Sequence, residues 1–274
     1  MTRLADLHIH TNYSDSTQTP EEVILDARQQ GLACIAITDH DTIDGVAPAM
    51  KAAKPFAIEV LPGIELSSEA AGKDIHILGY LFEYKNESFV KKIRYMQDVR
   101  VERMREMIDK LKGLGIDNIA LEEVRERAQS GSVGRPHLAA LMQEKGWTTS
   151  IKKAFDDYLA DDAPAYVPKF KQSPYEAIAL IKNTGGVPVL AHPMLTGVDE
   201  LIPGLVEAGL LGLEVFYPNS TEQTTRFYSA LAKKHNLIAT GGSDAHGTVK
   251  KYTSIGRVKV PYSIVEQLKA ACAV

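Results

Sequence analysis

The chain contains few cysteines: Cys34 within an apolar run and Cys272 near the end are the only two among 274 residues. Two cysteines cannot form a disulfide framework, and such low cysteine use is typical of a reducing compartment, so we expect a cytoplasmic protein. The apolar runs fall far short of the roughly 20 residues that a membrane span needs. The first residues also lack the pattern of a signal peptide. We therefore expect no membrane association, and the sequence indicates no obligate protein partner.

The chain also lacks an excess of positive charge, because 31 Lys and Arg face 35 Asp and Glu, for a net charge of −4. This balance argues mildly against a large nucleic-acid footprint, which needs several phosphate contacts, but it leaves local basic patches open. The shares of hydrophobic residues (45%) and charged residues (24%) are typical of a globular protein. The length allows one large domain, or one domain with an insert.

Short β-rich runs alternate with helical stretches along most of the chain. The candidate strands are residues 4–10, 34–38, 58–66, 75–82, 187–191, 212–216, 237–241 and 254–260. Two segments that begin at Thr19 and Ser173 continue with Pro and, two residues later, with Glu, which is the pattern of a capping box at a helix start. Strand–helix alternation predicts parallel strands with crossover helices, and seven or eight such units predict a closed or nearly closed α/β barrel.

Residues 86–163 interrupt this alternation. No convincing strand occurs there, and apolar residues such as Ile93, Met96, Met104, Met107 and Leu111 recur at helical spacing. We predict an all-helical insert over residues 87–163, between two parts of a barrel domain formed by residues 1–86 and 164–274. Inserts at the C-terminal rim of α/β barrels usually determine specificity, so this insert is a candidate substrate-binding lid.

Nine potential metal ligands lie at or near strand ends: His8, His10, Asp15, His40, Glu65, His76, His192, Asp244 and His246. His8 and His10 are two residues apart, so a strand projects both imidazoles to the same face. Active sites of parallel α/β folds form at the carboxyl ends of strands. His76 departs from this pattern because it lies early in its run, which is either antiparallel or so short that its start lies close to the rim.

A single histidine at a strand end is more often a hydrogen-bonded structural residue than a ligand. Six of the eight histidines together with three carboxylates at one rim would, however, be costly to bury without a cation. Donors of nitrogen and oxygen without thiolate suit Mn²⁺, with Zn²⁺ or Fe²⁺ as alternatives. We expect two or three ions, with Glu65 able to bridge them. Neighbouring ions can activate a shared water and clamp a phosphoryl group.

Six motifs resemble those of the PHP (polymerase and histidinol phosphatase) family of metal-dependent phosphoesterases: DLHIHTNYSD, AITDHDT, GIELS, DIHILGY, LAHP and GSDAH. The resemblance implies a distorted (β/α)7 barrel, with the helical insert at its C-terminal rim, and a trinuclear metal site. It implies one ion on His8, His10, Glu65 and Asp244, a second on Glu65, His76 and His192, and a third on Asp15, His40 and His246. Every one of these positions has the residue type that the family expects.

Within that family, the TDHDT motif and the helical insert look most like nucleoside 3′,5′-bisphosphate phosphatases, which remove the 3′-phosphate, and like related members that trim short RNA from its 5′ end. The resemblance implies substrate contacts at Arg100, Arg103, Arg135, His137 and Lys169. Arg100 and Arg103 share one helix face, where two guanidinium groups suit a phosphate, although Glu102 and Glu106 are near enough in sequence to pair with them. Arg135 precedes Pro136 at a predicted helix start, where backbone N–H groups also favour an anion.

The sequence thus predicts a Mn²⁺-favouring phosphohydrolase with Glu65, His192 and Arg135 as catalytic residues. Arg135 and the ions would neutralise the equatorial phosphoryl oxygens, and either His192 or a metal-bound water would protonate the leaving oxygen. One alternative is another phosphoester at the same site, such as histidinol phosphate or a nucleic-acid end. The other is a non-catalytic metal-binding module.

Overall fold

The computed structural model describes residues 3–128, 132–168, 172–249 and 253–272. One eight-stranded sheet organises the fold. Its strands are β1 (Leu4–Ile9), β2 (Cys34–Ile37), β3 (Glu59–Ala70), β4 (Lys73–Tyr80), β5 (Val187–Leu190), β6 (Gly212–Phe216), β7 (Ile238–Gly241) and β8 (Val260–Pro261). Their order in the sheet is β7-β6-β5-β4-β3-β2-β1-β8. The predicted α/β class is therefore confirmed.

The sheet curves round so that the end of strand β1 contacts the segment that follows β7. The backbone N–H of His10 donates to the carbonyl of Ala245 at 3.0 Å, and Ile9 forms a parallel bridge with Ala245. Strands β1 to β3 are parallel, as are β5 to β7, whereas β8 runs antiparallel to β1. The result is a nearly closed, distorted barrel, as the sequence predicted.

Strand β4 corrects the expectation that neighbouring strands are parallel, because it runs antiparallel to both β3 and β5. Only Ala71 and Gly72 separate β3 from β4, and both have positive φ, which is the geometry of a tight hairpin. A crossover helix needs a dozen or more residues, so this connection forces an antiparallel pair. The reversal carries the start of β4 towards the C-terminal rim, and His76 with it. The antiparallel alternative for this run is thus the one observed.

The last predicted strand, residues 254–260, is wrong over most of its length. Only Val260 and Pro261 are in a strand, and the preceding residues form turns. Gly256 has a φ of +74°, which extended strands do not adopt, and its backbone N–H donates to the buried carboxylate of Asp6 at 2.8 Å. That hydrogen bond replaces a strand-to-strand contact.

Helices cover the strands and form most of residues 87–163. They are α1 (Pro20–Gln29), α2 (Val46–Ala53), α3 (Glu87–Gly113), α4 (Leu121–Arg127), α5 (Arg135–Glu144), α6 (Ile151–Ala154), α7 (Pro174–Lys182), α8 (Pro193–Thr196), α9 (Ile202–Glu207), α10 (Glu222–Lys234) and α11 (Tyr262–Cys272), with a π-helical turn at Phe155–Leu159 and a 3₁₀ turn at Asp199–Leu201. Thr19 and Ser173 cap α1 and α7 with complete capping boxes, as predicted. None of the helices in the described ranges is both long enough and apolar enough to cross a membrane.

Helix α3 joins the barrel to the insert. It has 27 residues and is therefore about 40 Å long at about 1.5 Å per residue. Phe89, Ile93 and Met96 from its first half pack into a core with barrel strands. Met104 and Met107 from its second half pack into a separate core made by the helices that follow. The apolar residues that recur at helical spacing are thus core residues, and α3 contributes to both cores.

A glycine beside β1 fixes how closely the ends of the sheet approach. A Cβ atom at Gly242 would lie no further than 2.8 Å from three atoms of His8. We expect Gly242→Ala to lower the free energy of unfolding by roughly 1–3 kcal/mol, since overpacking forces neighbours to move. Denaturant unfolding measures this change. Gly113→Ala is the matched control, because nothing lies within 4 Å of a Cβ there and alanine favours helix; equal stability of the two variants would contradict the prediction.

Candidate metal centre

The carboxylate of Glu65 lies at the centre of the nine candidate ligands. Strand β3 places this residue at the rim, where it is buried. Its Oε1 atom lies 2.8 Å from Nδ1 of His76, on the reversed strand β4, and 2.9 Å from Nε2 of His192, directly after β5. These three residues are the set that the sequence assigned to one ion, and the structure brings them together.

The other oxygen of Glu65 faces three imidazoles. Oε2 lies 3.2 Å from ring nitrogens of His8, His10 and His40. Asp244 completes one group, with Oδ1 at 3.2 Å from Nε2 of His10 and 3.6 Å from Nε2 of His8. Because both oxygens of one carboxylate face different imidazoles, Glu65 has the geometry of a bridging ligand.

A third group lies on the other side of His10. Nε2 of His246 is 3.2 Å from Oδ1 of Asp15, and Nε2 of His40 is 3.9 Å from Oδ2 of Asp15. The rings of His10 and His246 are 4.1 Å apart between centroids. The structure therefore gathers all nine candidate ligands that the sequence pointed to.

The donor atoms fit divalent cations better than they fit one another. Nε2 of His8 and Nε2 of His10 lie 3.1 Å apart, although neutral imidazoles at this distance can share at most one proton. Within the described part of the chain, four buried ligand atoms make no hydrogen bond of acceptable geometry, although some lie as close as 3.2 Å to another ligand atom: Oδ1 of Asp15, Nδ1 of His40, Nδ1 of His192 and Nε2 of His246. Eight of the candidate ligands form three groups whose ligand atoms lie within 4.8 Å of one another, and His192 joins them through Glu65. Nitrogen and oxygen donors in this number suit more than one ion.

Protons compete with cations for these atoms. Burial opposes protonation of His10, but hydrogen bonds to Asp244 and Glu65 outweigh it and raise the pKa of His10 to about 9 in the metal-free protein. The folded chain thus holds this proton more tightly than the unfolded chain. Its contribution to stability is full below the unfolded pKa of about 6.5 and is lost as the pH rises through about 9.

A bound ion must displace the same proton, so we expect the affinity for Mn²⁺ to rise about tenfold per pH unit between about pH 7 and about pH 9. Calorimetric titration in buffers of different ionisation enthalpy measures both the affinity and the protons released. An affinity that stays constant over this range, with no proton release, would contradict the prediction.

Two residues that the sequence did not single out position candidate ligands. Glu214 on β6 is fully buried, with Oε1 at 3.0 Å from Nδ1 of His8, and it accepts the backbone N–H of His192 at 2.8 Å. The hydroxyl of Tyr217 donates to Oδ2 of Asp244 at 2.7 Å. Carboxylates behind ligating histidines fix the orientation of the ring. A lone carboxylate within the apolar run of β6 was the available signal for Glu214.

The backbone is strained at the centre itself. His192, Asp244 and Asp41 have φ values of 27°, 47° and 49°, in the left-handed region that glycine adopts more easily. Such conformations cost of order 1–3 kcal/mol each and cluster at functional sites. The surrounding contacts therefore maintain backbone conformations that these residues would adopt unfavourably on their own.

A cavity of about 220 Å³ opens beside the candidate ligands. Asp15, His40 and His76 line one part of it, and Arg100, Arg103 and Arg135 from the insert line another. We call it the arginine cavity. It places three guanidinium groups next to the metal centre, so it combines cation sites with anion-binding groups.

The three arginines are held differently. Arg100 pairs with the buried Asp41 and donates to Oγ of Ser67 at 2.8 Å, so it is not part of a solvated helix face. Arg135 donates to the carbonyl of Leu159 at 3.0 Å and pairs with Asp161 at 2.7 Å. Both guanidinium groups are therefore fixed in orientation.

Arg103 is the most buried of the three and the least neutralised. Its Nε donates to the carbonyl of Val167 at 2.7 Å, while its Nη2 atom has no hydrogen-bond partner among the described residues. Burial and the neighbouring charges of Arg135 and Arg100 lower the pKa of Arg103 to about 10. An anion in the cavity would accept hydrogen bonds from Nη2 and would offset the repulsion among the three guanidinium groups. Arg103 is therefore the strongest candidate for a phosphate contact.

The structure describes only one of the two remaining predicted substrate contacts. His137 does not line the arginine cavity, and its Nδ1 accepts the backbone N–H of Gly134 at 3.1 Å at the start of α5. Burial lowers the pKa of His137. Lys169 lies outside the described residues.

Comparison with known proteins identifies the family. A family model described as the PHP domain matches residues 6–188. The chain belongs to the PHP domain family. A 5′-3′ exoribonuclease of Haemophilus influenzae is 33% identical over 251 residues, which cover 90% of this chain and 91% of that protein. A 3′,5′-nucleoside bisphosphate phosphatase of Chromobacterium violaceum is 29% identical over 259 residues, which cover 93% of this chain and 91% of that protein.

The fold comparison agrees with this result. The crystal structure of a Bifidobacterium adolescentis protein, proposed to be a metal-dependent phosphoesterase, superimposes with a TM-score of 0.88 at 29% identity, and the match covers 97% of this chain and 96% of that one. PHP membership, together with the candidate metal-binding groups, makes this chain a metal-dependent phosphoric ester hydrolase. This result disfavours the alternative of a non-catalytic metal-binding module.

Proposed function

We propose that this PHP protein hydrolyses the bond between phosphorus and the 3′-oxygen of a nucleotide that also carries a 5′-phosphate. Nucleoside 3′,5′-bisphosphates are the smallest such substrates, and the 5′ end of a short RNA contains the same bond. The arginine cavity is the observation that carries this proposal, because Asp15, His40 and His76 line it together with three guanidinium groups. A substrate with two phosphates can place one at the metal centre and the other among the arginines.

In this proposal the nine candidate ligands hold two or three ions, with Mn²⁺ favoured and Zn²⁺ or Fe²⁺ as alternatives. The ligand groups are those predicted from the sequence: His8, His10, Glu65 and Asp244; Glu65, His76 and His192; Asp15, His40 and His246. When bound, the ions supply an activated water and neutralise phosphoryl charge. His192 does not line the arginine cavity, and its Nε2 faces Glu65, so we assign it the role of a ligand and not that of a proton donor.

The arginines bind and orient the substrate. Arg103 offers the N–H groups of Nη2 to the 5′-phosphate, and Arg100, held by Asp41, presents its charge from the same helix. Arg135, at the start of α5, neutralises oxygens of the phosphate that is attacked. Charge-assisted contacts of this kind are about twice as strong as neutral hydrogen bonds.

The test is phosphate release from adenosine 3′,5′-bisphosphate by the purified protein in the presence of Mn²⁺. We expect AMP and inorganic phosphate as the products, and a much lower rate with adenosine 3′-monophosphate, which cannot use the arginines. Histidinol phosphate is the third substrate, since it represents the alternative reaction at the same centre. Hydrolysis of histidinol phosphate without hydrolysis of the bisphosphate would overturn the proposal.

A further inference from the structure

A second cavity lies on the other side of the start of α5. Its volume is about 370 Å³, within the range of about 300–1,000 Å³ that is typical of small-molecule sites. It shares Asp15 and Pro136 with the arginine cavity, so the two cavities meet at a candidate metal ligand. Arg135 lines the arginine cavity and His137 lines this one. We call it the downstream cavity.

The chemistry of the proposed reaction requires room in this position for one class of substrate. In a nucleoside 3′,5′-bisphosphate, the attacked phosphate is a monoester, and its only ester oxygen is the 3′-oxygen. In RNA the same phosphorus also carries the 5′-oxygen of the next nucleotide. The RNA therefore continues from this phosphorus in a direction that the 5′-terminal nucleotide does not occupy. A site that accepts RNA needs a second compartment at the metal centre.

We propose that the downstream cavity binds the second nucleotide of a 5′-phosphorylated RNA, an inference that rests on the proposed function. The apolar side chains of Ile151 and Val249 line this cavity although they are 37% and 45% exposed, and they offer a surface to a base. Arg127, whose guanidinium is paired with Glu144, lines the same cavity and is a cation that suits a backbone phosphate. Apolar surface for bases beside cationic groups is typical of single-strand binding.

The reaction is the same for both substrates. The oxygen of water forms a bond to phosphorus, the bond from phosphorus to the 3′-oxygen breaks, and the 3′-oxygen takes up a proton. A bisphosphate yields a nucleoside 5′-phosphate and inorganic phosphate. RNA yields a nucleoside 5′-phosphate and a shortened chain that has a 5′-phosphate, which is the substrate for the next cycle. No oxidant or other co-reactant is needed.

The test is a substitution whose larger side chain fills the downstream cavity. Ala140 on α5 lines it, and we expect Ala140→Phe to lower kcat/KM for 5′-phosphorylated triadenylate roughly tenfold or more relative to kcat/KM for adenosine 3′,5′-bisphosphate, the effect of losing one bound base. Gln143→Phe is the matched control, because this residue is exposed on the same helix and lines neither cavity. An unchanged ratio in Ala140→Phe, or an equal change in both variants, would overturn the inference.

A second pair of variants separates binding from stability. Arg127→Gln is expected to lower kcat/KM for the triadenylate roughly fivefold and to reduce its dependence on salt by about one released ion. Glu144→Gln removes the same ion pair but keeps the cation. A loss of equal size in both variants would assign Arg127 a structural role and count against the cavity.

Failure of the inference and failure of the proposed function give different results. A wild-type protein that hydrolyses the bisphosphate, with all four variants unchanged on the triadenylate, overturns the downstream cavity alone. A wild-type protein that cleaves neither the bisphosphate nor the triadenylate overturns the proposed function. If the wild-type protein cleaves the triadenylate alone, the rates of Ala140→Phe and Gln143→Phe on the triadenylate still decide whether the cavity binds RNA.

Discussion

Replacing Glu65 with glutamine is expected to lower kcat for phosphate release from adenosine 3′,5′-bisphosphate by roughly a thousandfold or more. Both carboxylate oxygens lie within 3.2 Å of imidazole nitrogens, and a glutamine retains only one oxygen. The amide NH₂ group cannot ligate a cation, so the groups that share Glu65 lose their bridge. Metal ions supply several kcal/mol of transition-state stabilisation, and about 1.4 kcal/mol corresponds to tenfold in rate.

Metal content provides a measurement that does not depend on activity. We expect elemental analysis of Glu65→Gln to show fewer ions per chain than in the wild type. Glu59→Gln is the matched control, since Glu59 lies on the same strand but pairs with Tyr262 and Lys269 at the opposite end of the barrel. Full metal content and full activity in Glu65→Gln would contradict the role of Glu65 as a bridging ligand.

Replacing Arg103 with glutamine is expected to lower kcat/KM for adenosine 3′,5′-bisphosphate about a hundredfold. The buried Nη2 atom has no hydrogen-bond partner in the described part of the chain, and two neighbouring guanidinium groups repel its charge, so an anionic substrate gains a strong contact there. Two hydrogen bonds to a charged group, at about 1.5–3 kcal/mol each, can account for a loss of this size. Activity on adenosine 3′-monophosphate should fall much less, because that substrate has no 5′-phosphate to bind.

The comparison of the two substrates distinguishes the loss of a phosphate contact from a general loss of structure. Arg103 also donates to the carbonyl of Val167, so its removal affects how the insert is held. Damage to the fold lowers both activities together, whereas loss of a phosphate contact lowers only one. Arg105→Gln is the control on the same helix, since Arg105 is exposed and pairs with Glu102. An equal loss on both substrates would show that Arg103 does not contact the 5′-phosphate.

Much of the candidate metal centre could be predicted because it follows from strand geometry. His8 on β1 and His10 directly after it are two residues apart and face the same way, and His192 follows the end of β5 at the same rim. Glu65 was predicted near the end of its strand, but β3 continues past it to Ala70. The direction of β4 was left open from sequence. The short Ala71-Gly72 connection resolves it, because two residues cannot form a crossover.

The contacts that tune the centre could not be predicted, since they join residues far apart in the chain. Glu214 reaches His8 across 206 positions, and Arg103 reaches the Val167 carbonyl across 64. No local pattern encodes such pairs. His137 shows a different limit: the resemblance implies a contact with substrate, and the structure adds that Nδ1 accepts the Gly134 N–H three residues earlier while the residue lines the downstream cavity.

The sharing of α3 between two cores determines how the specificity of this enzyme can be re-engineered. A chimera joined at Glu87, where the helix begins, would import a foreign Phe89 and Ile93 into the barrel core and disturb its packing. Recombination inside the helix, between Met96 and Met104, leaves each core with residues from one parent. Arg100 and Arg103 lie within that window, so the position of the junction decides which parent supplies the two arginines that we propose bind phosphate.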